Sequence, residues 1–156
     1  MSDTSLTIDN ILAPELTQCR VPASSKKRVL EFIAEQIHQH NGTLSETQIF
    51  NNLIGRERLG STGIGQGIAI PHCRLEGLDH VVGVLLTLEE SIEFDAIDNQ
   101  PVDLVFALVV PKEATSEHLE LLSQLAEKFN ERAFCDRLRQ CEDAATLYKR
   151  MTAATE

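Results

Sequence analysis

The chain has 156 residues, a length typical of one domain built around a single core. Its formal net charge of −10 argues against binding nucleic acid or an anionic membrane through bulk electrostatics. The apolar stretches are far shorter than the roughly 18 residues that a membrane span needs. No basic stretch followed by an apolar run opens the chain. We therefore expect one domain over residues 1–156 in a soluble, cytoplasmic protein without membrane insertion.

The N-terminal half predicts a short edge strand followed by two helices. The strand covers residues 17–21, after a short apolar piece that Pro14 is expected to end. The first helix, capped by one of two adjacent serines, runs to about Gln39. A capping box, formed by Ser45 and the glutamine three residues later, begins a second helix that ends near Arg58.

The C-terminal half predicts core strands and then helices. Dense runs of valine and leucine suit strands that are buried on both faces. A long helix should begin at a cap provided by Thr115 or Ser116 and run to about Arg132. The expected strands cover 81–88, 92–94 and 102–110, and two short helices follow at 136–141 and 143–151. Helices and strands mix along the whole chain, which indicates an α/β protein with a small central sheet.

A glycine-rich segment joins the two halves. It contains Gly63, Gly65 and Gly67, followed by an apolar run and then Pro71 and His72. Glycine permits positive φ and close approach of other groups. Proline cannot donate to a sheet ladder and tends to stop a strand. The pattern therefore predicts that His72 lies at a strand end, beside a flexible loop rich in backbone amides.

The glycine spacing also permits an alternative, a regulator that binds a nucleotide through this loop. A dinucleotide fingerprint needs a strand before its glycines and a helix after them. Here a helix precedes the glycines and a strand-like run follows. A phosphate-binding P-loop ends in Gly-Lys-Ser/Thr, and no lysine occurs between Lys27 and Lys112. A turn that binds no ligand is the other alternative.

A second histidine makes phosphoryl chemistry a specific hypothesis. His118 falls in the first turn of the long predicted helix, on its inward stripe, although a structural histidine packed on the sheet would show the same pattern. A helix N-terminus offers unpaired amides and a positive dipole, both suited to phosphate. Neutral imidazole is a nucleophile and can form a phosphohistidine. The groups expected to stabilise the phosphate are the amides of Gly63, Gly65 and Gly67, the hydroxyls of Ser61 or Thr62, and Arg56.

Three segments together resemble the mannitol/fructose-type enzyme IIA proteins of the bacterial phosphotransferase system. The first is Arg56-Glu57 with Ser61-Thr62-Gly63-Ile64-Gly65 and Gly67-Ile68-Ala69-Ile70-Pro71-His72. The others are Phe94-Asp95-Ala96-Ile97-Asp98-Asn99-Gln100-Pro101-Val102 and His118-Leu119-x-x-Leu122. The resemblance covers residues 8–150 and is strongest to the nitrogen-regulatory branch, enzyme IIA-Ntr.

The resemblance implies a fold and a set of roles. The fold is a central mixed, mostly parallel sheet of about five strands flanked by helices. His72 would be the phosphoryl acceptor, on Nε2, with His118 holding the phosphate and Arg56 nearby. No metal and no cofactor is implied. Cys73 stands where many relatives have glycine, and redox sensitivity of its thiol is a speculation.

The resemblance also implies partners. An HPr-like histidine phosphocarrier (NPr), downstream of enzyme I-Ntr, would donate the phosphoryl group. Regulatory targets such as potassium transport proteins and sensor kinases would respond to the phosphorylation state, and no sugar transport by this chain itself is expected. An alternative is a purely regulatory module whose only output is protein binding.

Overall fold

The computed structural model describes residues 8–113 and 117–153, without the side chains of Asp9, Glu117, His118 and Ala153. Twelve elements follow one another within these ranges. They are α1 (Ile8–Ile11), β1 (Leu12–Val21), α2 (Lys26–His40), α3 (Glu46–Arg58), β2 (Gly63–Gly65), β3 (Ile68–Ala69), β4 (His72–Leu75), β5 (Val82–Ile92), β6 (Val102–Pro111), α4 (Glu117–Phe129), α5 (Arg132–Arg139) and α6 (Ala144–Ala153).

The strands form one mixed sheet in the order β1-β5-β6-β3-β2, with β4 also paired to β6. Three pairings are parallel, namely β1 with β5 and both β3 and β4 with β6. The pairs β5–β6 and β2–β3 are antiparallel. This arrangement confirms the predicted α/β class and the mixed, mostly parallel sheet. The sheet has six strands rather than about five because the glycine-rich segment contributes short strands of its own.

The core lies around β5 and β6. Every side chain from Val82 to Leu88 and from Leu104 to Val110 is buried. Since successive side chains of a strand point to opposite faces, both faces of the sheet are covered along these stretches. Helices α2 and α3 pack against each other, while α6 packs against β1 and α3 against β4.

The predicted helix caps are confirmed where the structure describes them. The Ser25 hydroxyl accepts a hydrogen bond from the backbone N–H of Arg28 and caps α2. The Ser45 hydroxyl does the same for the N–H of Gln48 at the start of α3. Both bonds satisfy an amide that the first turn of a helix leaves without a partner. The caps predicted at Thr115 and Ser116 lie outside the described residues.

Several predicted boundaries are wrong, each for a local reason. Pro14 does not end an element but lies inside β1, which begins at Leu12. This strand is at the edge of the sheet, where a missing N–H is tolerated. The strand predicted at 92–94 is the end of β5, which reaches Ile92. Helix α4 ends at Phe129, earlier than expected, and α5 covers Arg132–Arg139 rather than 136–141, because Asn130 and Glu131 separate the two helices. The last helix, α6, begins one residue later than expected and ends two residues later. Among the described residues, no helix is both long and apolar enough to cross a membrane.

Candidate functional site

His72 is presented by a strand that is interrupted rather than ended by Pro71. Ile68 and Ala69 of β3 pair with Leu104 and Val105 of β6. After the interruption the chain pairs with the same neighbour again, so that His72 is the first residue of β4 and lies opposite Leu108. The carbonyl oxygen of Pro71 accepts a hydrogen bond from the N–H of Leu108 at 2.8 Å. The prediction of a strand end at His72 is therefore corrected to a strand start.

The His72 ring is held by its own backbone. Nδ1 lies 2.7 Å from the carbonyl oxygen of Ile70. A carbonyl oxygen can only accept, so Nδ1 is the nitrogen that carries the proton when the ring is neutral. The proton on Nδ1 leaves Nε2 with the lone pair. The ring itself is half-buried, so the site is a surface feature.

A depression of about 650 Å³ lies over this ring. Its walls come from α3, from β4 and from the residues that follow β6. Among the described residues, three basic side chains, Arg56, Arg74 and Lys112, line it together with one carboxylate, Glu76. In a chain with net charge −10, this is a local excess of positive charge. Such an excess favours an anion such as a phosphoryl group.

Hydrogen bonds tie the parts of this depression to one another. The guanidinium of Arg56 donates from Nη1 to the carbonyl oxygen of Gly60 at 2.8 Å. The side-chain amide of Asn52 donates to the carbonyl oxygen of Arg74 at 2.9 Å. Arg74 in turn donates from Nη1 to the carbonyl oxygen of Lys112 at 2.9 Å. Hydrogen bonds to the backbone therefore hold the segments that carry these cationic side chains in place.

The glycine-rich segment is an antiparallel hairpin rather than a flexible loop. Gly63 pairs with Ala69 and Gly65 with Ile68, and Gln66 and Gly67 form the turn. The carbonyl oxygen of Gly67 accepts from the N–H of Leu104, four residues along β6 from the position opposite His72. That is roughly 13 Å at about 3.3 Å per residue. The structure therefore does not bring the amides of Gly65 and Gly67 to the His72 ring.

Two hydroxyls predicted to bind phosphate already have partners within the chain. Ser61 donates from Oγ to the carbonyl oxygen of Phe94 at 2.8 Å and accepts from the N–H of Gly63 at 3.0 Å. Thr62 donates from Oγ1 to the carboxylate of Glu57. Both residues lie closer to His72 than the hairpin turn does, since the N–H of Ile70 donates to the Thr62 carbonyl.

His118, the other predicted histidine, is the second residue of α4. Its side chain lies outside what the structure describes. In the described part of the chain, no group of three or more His, Cys, Asp or Glu side chains is arranged to hold a metal ion.

The family model of the phosphoenolpyruvate-dependent sugar phosphotransferase system, EIIA 2, matches residues 10–153. The chain belongs to this EIIA 2 family. The resemblance seen in the sequence is thereby confirmed, and so is a general place in phosphotransfer.

Relatives of this EIIA chain point to the nitrogen-regulatory branch. It is 47% identical over 142 residues to the nitrogen regulatory protein of Pseudomonas aeruginosa, covering 91% of this chain and 92% of the relative. Against the nitrogen regulatory protein of Escherichia coli K12 the identity is 45% over 152 residues, covering 97% and 93%. These similarities support a regulatory role linked to the phosphotransferase system.

Solved structures agree with the fold of this EIIA chain. The crystal structure of nitrogen regulatory protein IIA-Ntr from Neisseria meningitidis superimposes with a TM-score of 0.84 at 38% identity, covering 92% of this chain and 98% of that one. IIA mannitol from Escherichia coli gives a TM-score of 0.68 at 19% identity, covering 94% and 99%. At that identity the second match shows the fold alone.

Sequence reasoning did not select two charged residues near the candidate site of this EIIA chain. Lys112 reaches the depression because β4 runs parallel to β6, which places the N–H of Lys112 on the carbonyl oxygen of Leu75. Glu57 is a buried carboxylate in the last turn of α3, where the helix macrodipole disfavours a negative charge. That unfavourable position is a signal for Glu57 in the sequence, whereas no local pattern indicates Lys112.

Proposed function

We propose that this EIIA protein is a histidine phosphoryl carrier and regulator, in which His72 accepts a phosphoryl group from an HPr-like phosphocarrier (NPr) downstream of enzyme I-Ntr in the cytoplasm. One observation carries the proposal. The Nδ1–H of His72 is engaged by the Ile70 carbonyl, so the nucleophilic lone pair is on Nε2, inside a depression lined by Arg56, Arg74 and Lys112. The nitrogen-regulatory relatives support it.

The transfer needs alignment and charge stabilisation rather than a cofactor. The lone pair of His72 Nε2 forms the new nitrogen–phosphorus bond as the bond between phosphorus and the donor's histidine nitrogen breaks. The donor ring, which carries a proton on its other nitrogen, takes that electron pair and leaves as neutral imidazole, while the His72 ring keeps its Nδ1 proton and becomes a phosphorylated imidazolium. In this transition state the negative charge is spread over three equatorial oxygens. The cationic side chains of the depression are suited to stabilise that charge.

Two further groups of residues belong to the proposal as predictions. His118 would donate a hydrogen bond to the phosphate from the first turn of α4. Ser61, Thr62 and Gly63 lie nearer to His72 than Gly65 and Gly67. For the last two glycines the hairpin geometry gives no support to a phosphate contact.

The regulatory half of the proposal has its own observation. Leu59 lines the same depression and is 84% exposed, so an apolar side chain lies beside the charged groups of the site. A phosphoryl group adds about −1.5 to −2 charges at neutral pH. Targets such as potassium transport proteins and sensor kinases would therefore contact a surface whose charge differs between the phosphorylated and the unphosphorylated protein.

Phosphoryl uptake from a phosphorylated HPr-like carrier tests the carrier role. Mass spectrometry should show a gain of roughly 80 Da, one phosphoryl group, which acid removes. The variant His72→Ala should gain nothing, and His118→Ala should be labelled more slowly or fail in onward transfer, with His72 still the labelled residue. The exposed His80, paired with Asp79, offers a matched control, since His80→Ala should behave as wild type. Full labelling of His72→Ala would overturn the proposal.

Protein capture tests the regulatory role separately. His72→Ala cannot carry the phosphoryl group, and His72→Glu places a permanent negative charge at the same position. Pull-downs from the cells that express the protein should recover different partners with the two variants. Identical partners captured with equal affinity would show that charge at His72 is not the switch.

A further inference from the structure

A series of hydrogen bonds, joined through the backbones of Thr62 and Ile70, connects a buried carboxylate to the His72 ring. The carboxylate of Glu57 accepts from the backbone N–H of Thr62 at 3.2 Å and from its hydroxyl. The carbonyl oxygen of Thr62 accepts from the N–H of Ile70 at 3.0 Å. The carbonyl oxygen of Ile70 accepts from Nδ1 of His72 at 2.7 Å. The N–H and C=O groups of Thr62, like those of Ile70, belong to different peptide groups, so these bonds are linked by the position of the backbone.

Glu57 occupies a position that is unfavourable on local grounds. It is in the last turn of α3, where the helix macrodipole disfavours a negative charge, and it is only 8% exposed. Burial of a carboxylate is costly unless it is paired and hydrogen-bonded. An unfavourable local choice of residue that other groups stabilise, such as this buried carboxylate, is expected at functional sites.

Lys26 supplies the compensating charge. Its ammonium lies 3.1 Å from Glu57 Oε1 and 4.9 Å from the centre of the Phe94 ring. The ammonium is also 3.7 Å from the exposed carboxylate of Asp95. Ser61, next to Thr62, is hydrogen-bonded to the carbonyl of the same Phe94. The carboxylate therefore fixes the start of the hairpin without lining the His72 depression itself.

We infer that Glu57, with Lys26, is a positioning residue that acts through Thr62 and Ile70 to hold His72 in its Nδ1–H tautomer. This inference rests on the proposed phosphoryl transfer for its functional meaning. If the Thr62 backbone moves, the Ile70 carbonyl moves with it and the His72 ring loses its fixed acceptor. An unconstrained ring distributes between two tautomers, and the Nε2–H form has no lone pair on Nε2 with which to attack phosphorus.

Nitrogen-15 NMR of the His72 ring tests the inference without any phosphoryl donor. Spectra are recorded at alkaline pH, where imidazole is neutral, on wild type, Glu57→Gln and Glu31→Gln. The last variant is the matched control, since it makes the same substitution at a carboxylate of α2 that is paired with the exposed Arg28. Wild type and Glu31→Gln should show the Nδ1–H tautomer, and Glu57→Gln a mixture of both. Phosphoryl uptake should fall about tenfold in Glu57→Gln, within the range of roughly 10- to 100-fold found for partners that orient a histidine ligand.

A second pair of variants applies if Glu57→Gln does not fold. Thr62→Val removes the hydroxyl donor and keeps the branched shape, whereas Thr62→Ser keeps the donor. Thr62→Val should give a mixture of the two His72 tautomers, and Thr62→Ser should keep the Nδ1–H tautomer of wild type. If Thr62 and Glu57 had a purely structural role, both variants would change in thermal stability and the His72 tautomer would stay as in wild type.

The results separate the two proposals. Unchanged tautomer and uptake in folded Glu57→Gln would overturn the positioning role and leave the carrier role intact. A wild-type protein that takes up no phosphoryl group would overturn the carrier role. The tautomer ratios would still decide whether Glu57 orients His72.

Discussion

Arg56 and Gly60 are joined by a 2.8 Å hydrogen bond from the Arg56 guanidinium to the Gly60 carbonyl oxygen. The bond spans the end of α3, where carbonyl groups no longer have a partner within the helix. It fixes the arginine at the mouth of the His72 depression. One side chain thus caps a helix and places a positive charge at the proposed phosphoryl site.

Replacing Arg56 should slow phosphoryl uptake. Arg56→Ala removes one of three cations from the depression, and we expect uptake to fall about tenfold, which corresponds to about 1.4 kcal/mol of transition-state stabilisation. Rapid-quench measurement of His72 phosphorylation provides the rate. Arg58→Ala is the matched control, because Arg58 is exposed on the same helical turn and does not line the depression. Equal rates for the two variants would exclude a role for Arg56 in the transfer.

The parts of the fold that could be predicted from the sequence are those fixed by local chemistry. The caps Ser25 and Ser45 predict the starts of two helices, and the aliphatic runs of β5 and β6 predict two buried strands. Strand pairing depends on contacts between distant segments. The hairpin of β2 and β3 was therefore missed, since glycines show no alternation of apolar and polar side chains.

The residues of the candidate site also separate into those that the sequence reveals and those that only the fold reveals. His72 and Arg56 could be selected because they flank the glycine-rich segment in the sequence. Lys112 could not, and the only signal for Glu57 is its position in the last turn of a helix, because the roles of both residues depend on which strands pair and on which loop folds over the end of α3. A charged residue reveals little about its partner until the sheet register is known.

The hairpin turn is held by Arg139, which lies across it from α5. Its Nε donates to the carboxylate of Asp103 at 3.0 Å and its Nη2 donates to the carbonyl oxygen of Gln66 at 2.7 Å. Gly67, the next residue, has φ +81°. A Cβ at this position would lie 2.8 Å from Arg139 Nη2 and 3.1 Å from Asp103 Oδ1.

Gly67→Ala should destabilise the protein. The substitution imposes positive φ on an L-residue and displaces the guanidinium from its partners, and we expect a loss of about 1–3 kcal/mol in the free energy of unfolding. Urea denaturation measures it. At Gly42 a Cβ would meet nothing within 4 Å and no positive φ is imposed, so Gly42→Ala should be neutral or slightly stabilising. A Gly67→Ala variant as stable as wild type would show that the turn relaxes freely.

The reactivity of the Cys73 thiol decides whether oxidation could act on the neighbouring His72. Burial raises the pKa of the Cys73 thiol to about 12. The thiolate is the reactive form of cysteine. At pH 8 only about one thiol in ten thousand would be ionised, four units below that pKa. The folded environment therefore opposes the redox role considered for this residue.

The raised pKa also predicts how stability changes with pH. Between the ordinary cysteine value of ~8.5 and about 12, the unfolded chain loses the Cys73 proton while the folded chain keeps it. The unfolded state then binds fewer protons, so stability falls as pH rises through this window, and below it the thiol makes no pH-dependent contribution. Removing the thiol in Cys73→Ala should make this fall less steep, by at most about 1.4 kcal/mol per pH unit. Cys135 and Cys141, whose thiol pKa values are also raised by burial, remain in both proteins and cancel in the comparison.

Urea denaturation at pH 8 to 11 measures that difference, and iodoacetamide labelling supplies an independent measurement. Native Cys73 should remain unmodified at pH 8 and become fully labelled once the chain is unfolded in urea, because only unfolding restores an ordinary thiol pKa. Peptide mapping after digestion identifies the labelled residue. Rapid labelling of native Cys73, together with parallel pH profiles for wild type and Cys73→Ala, would contradict the buried, neutral thiol and reopen an oxidative control of the neighbouring histidine.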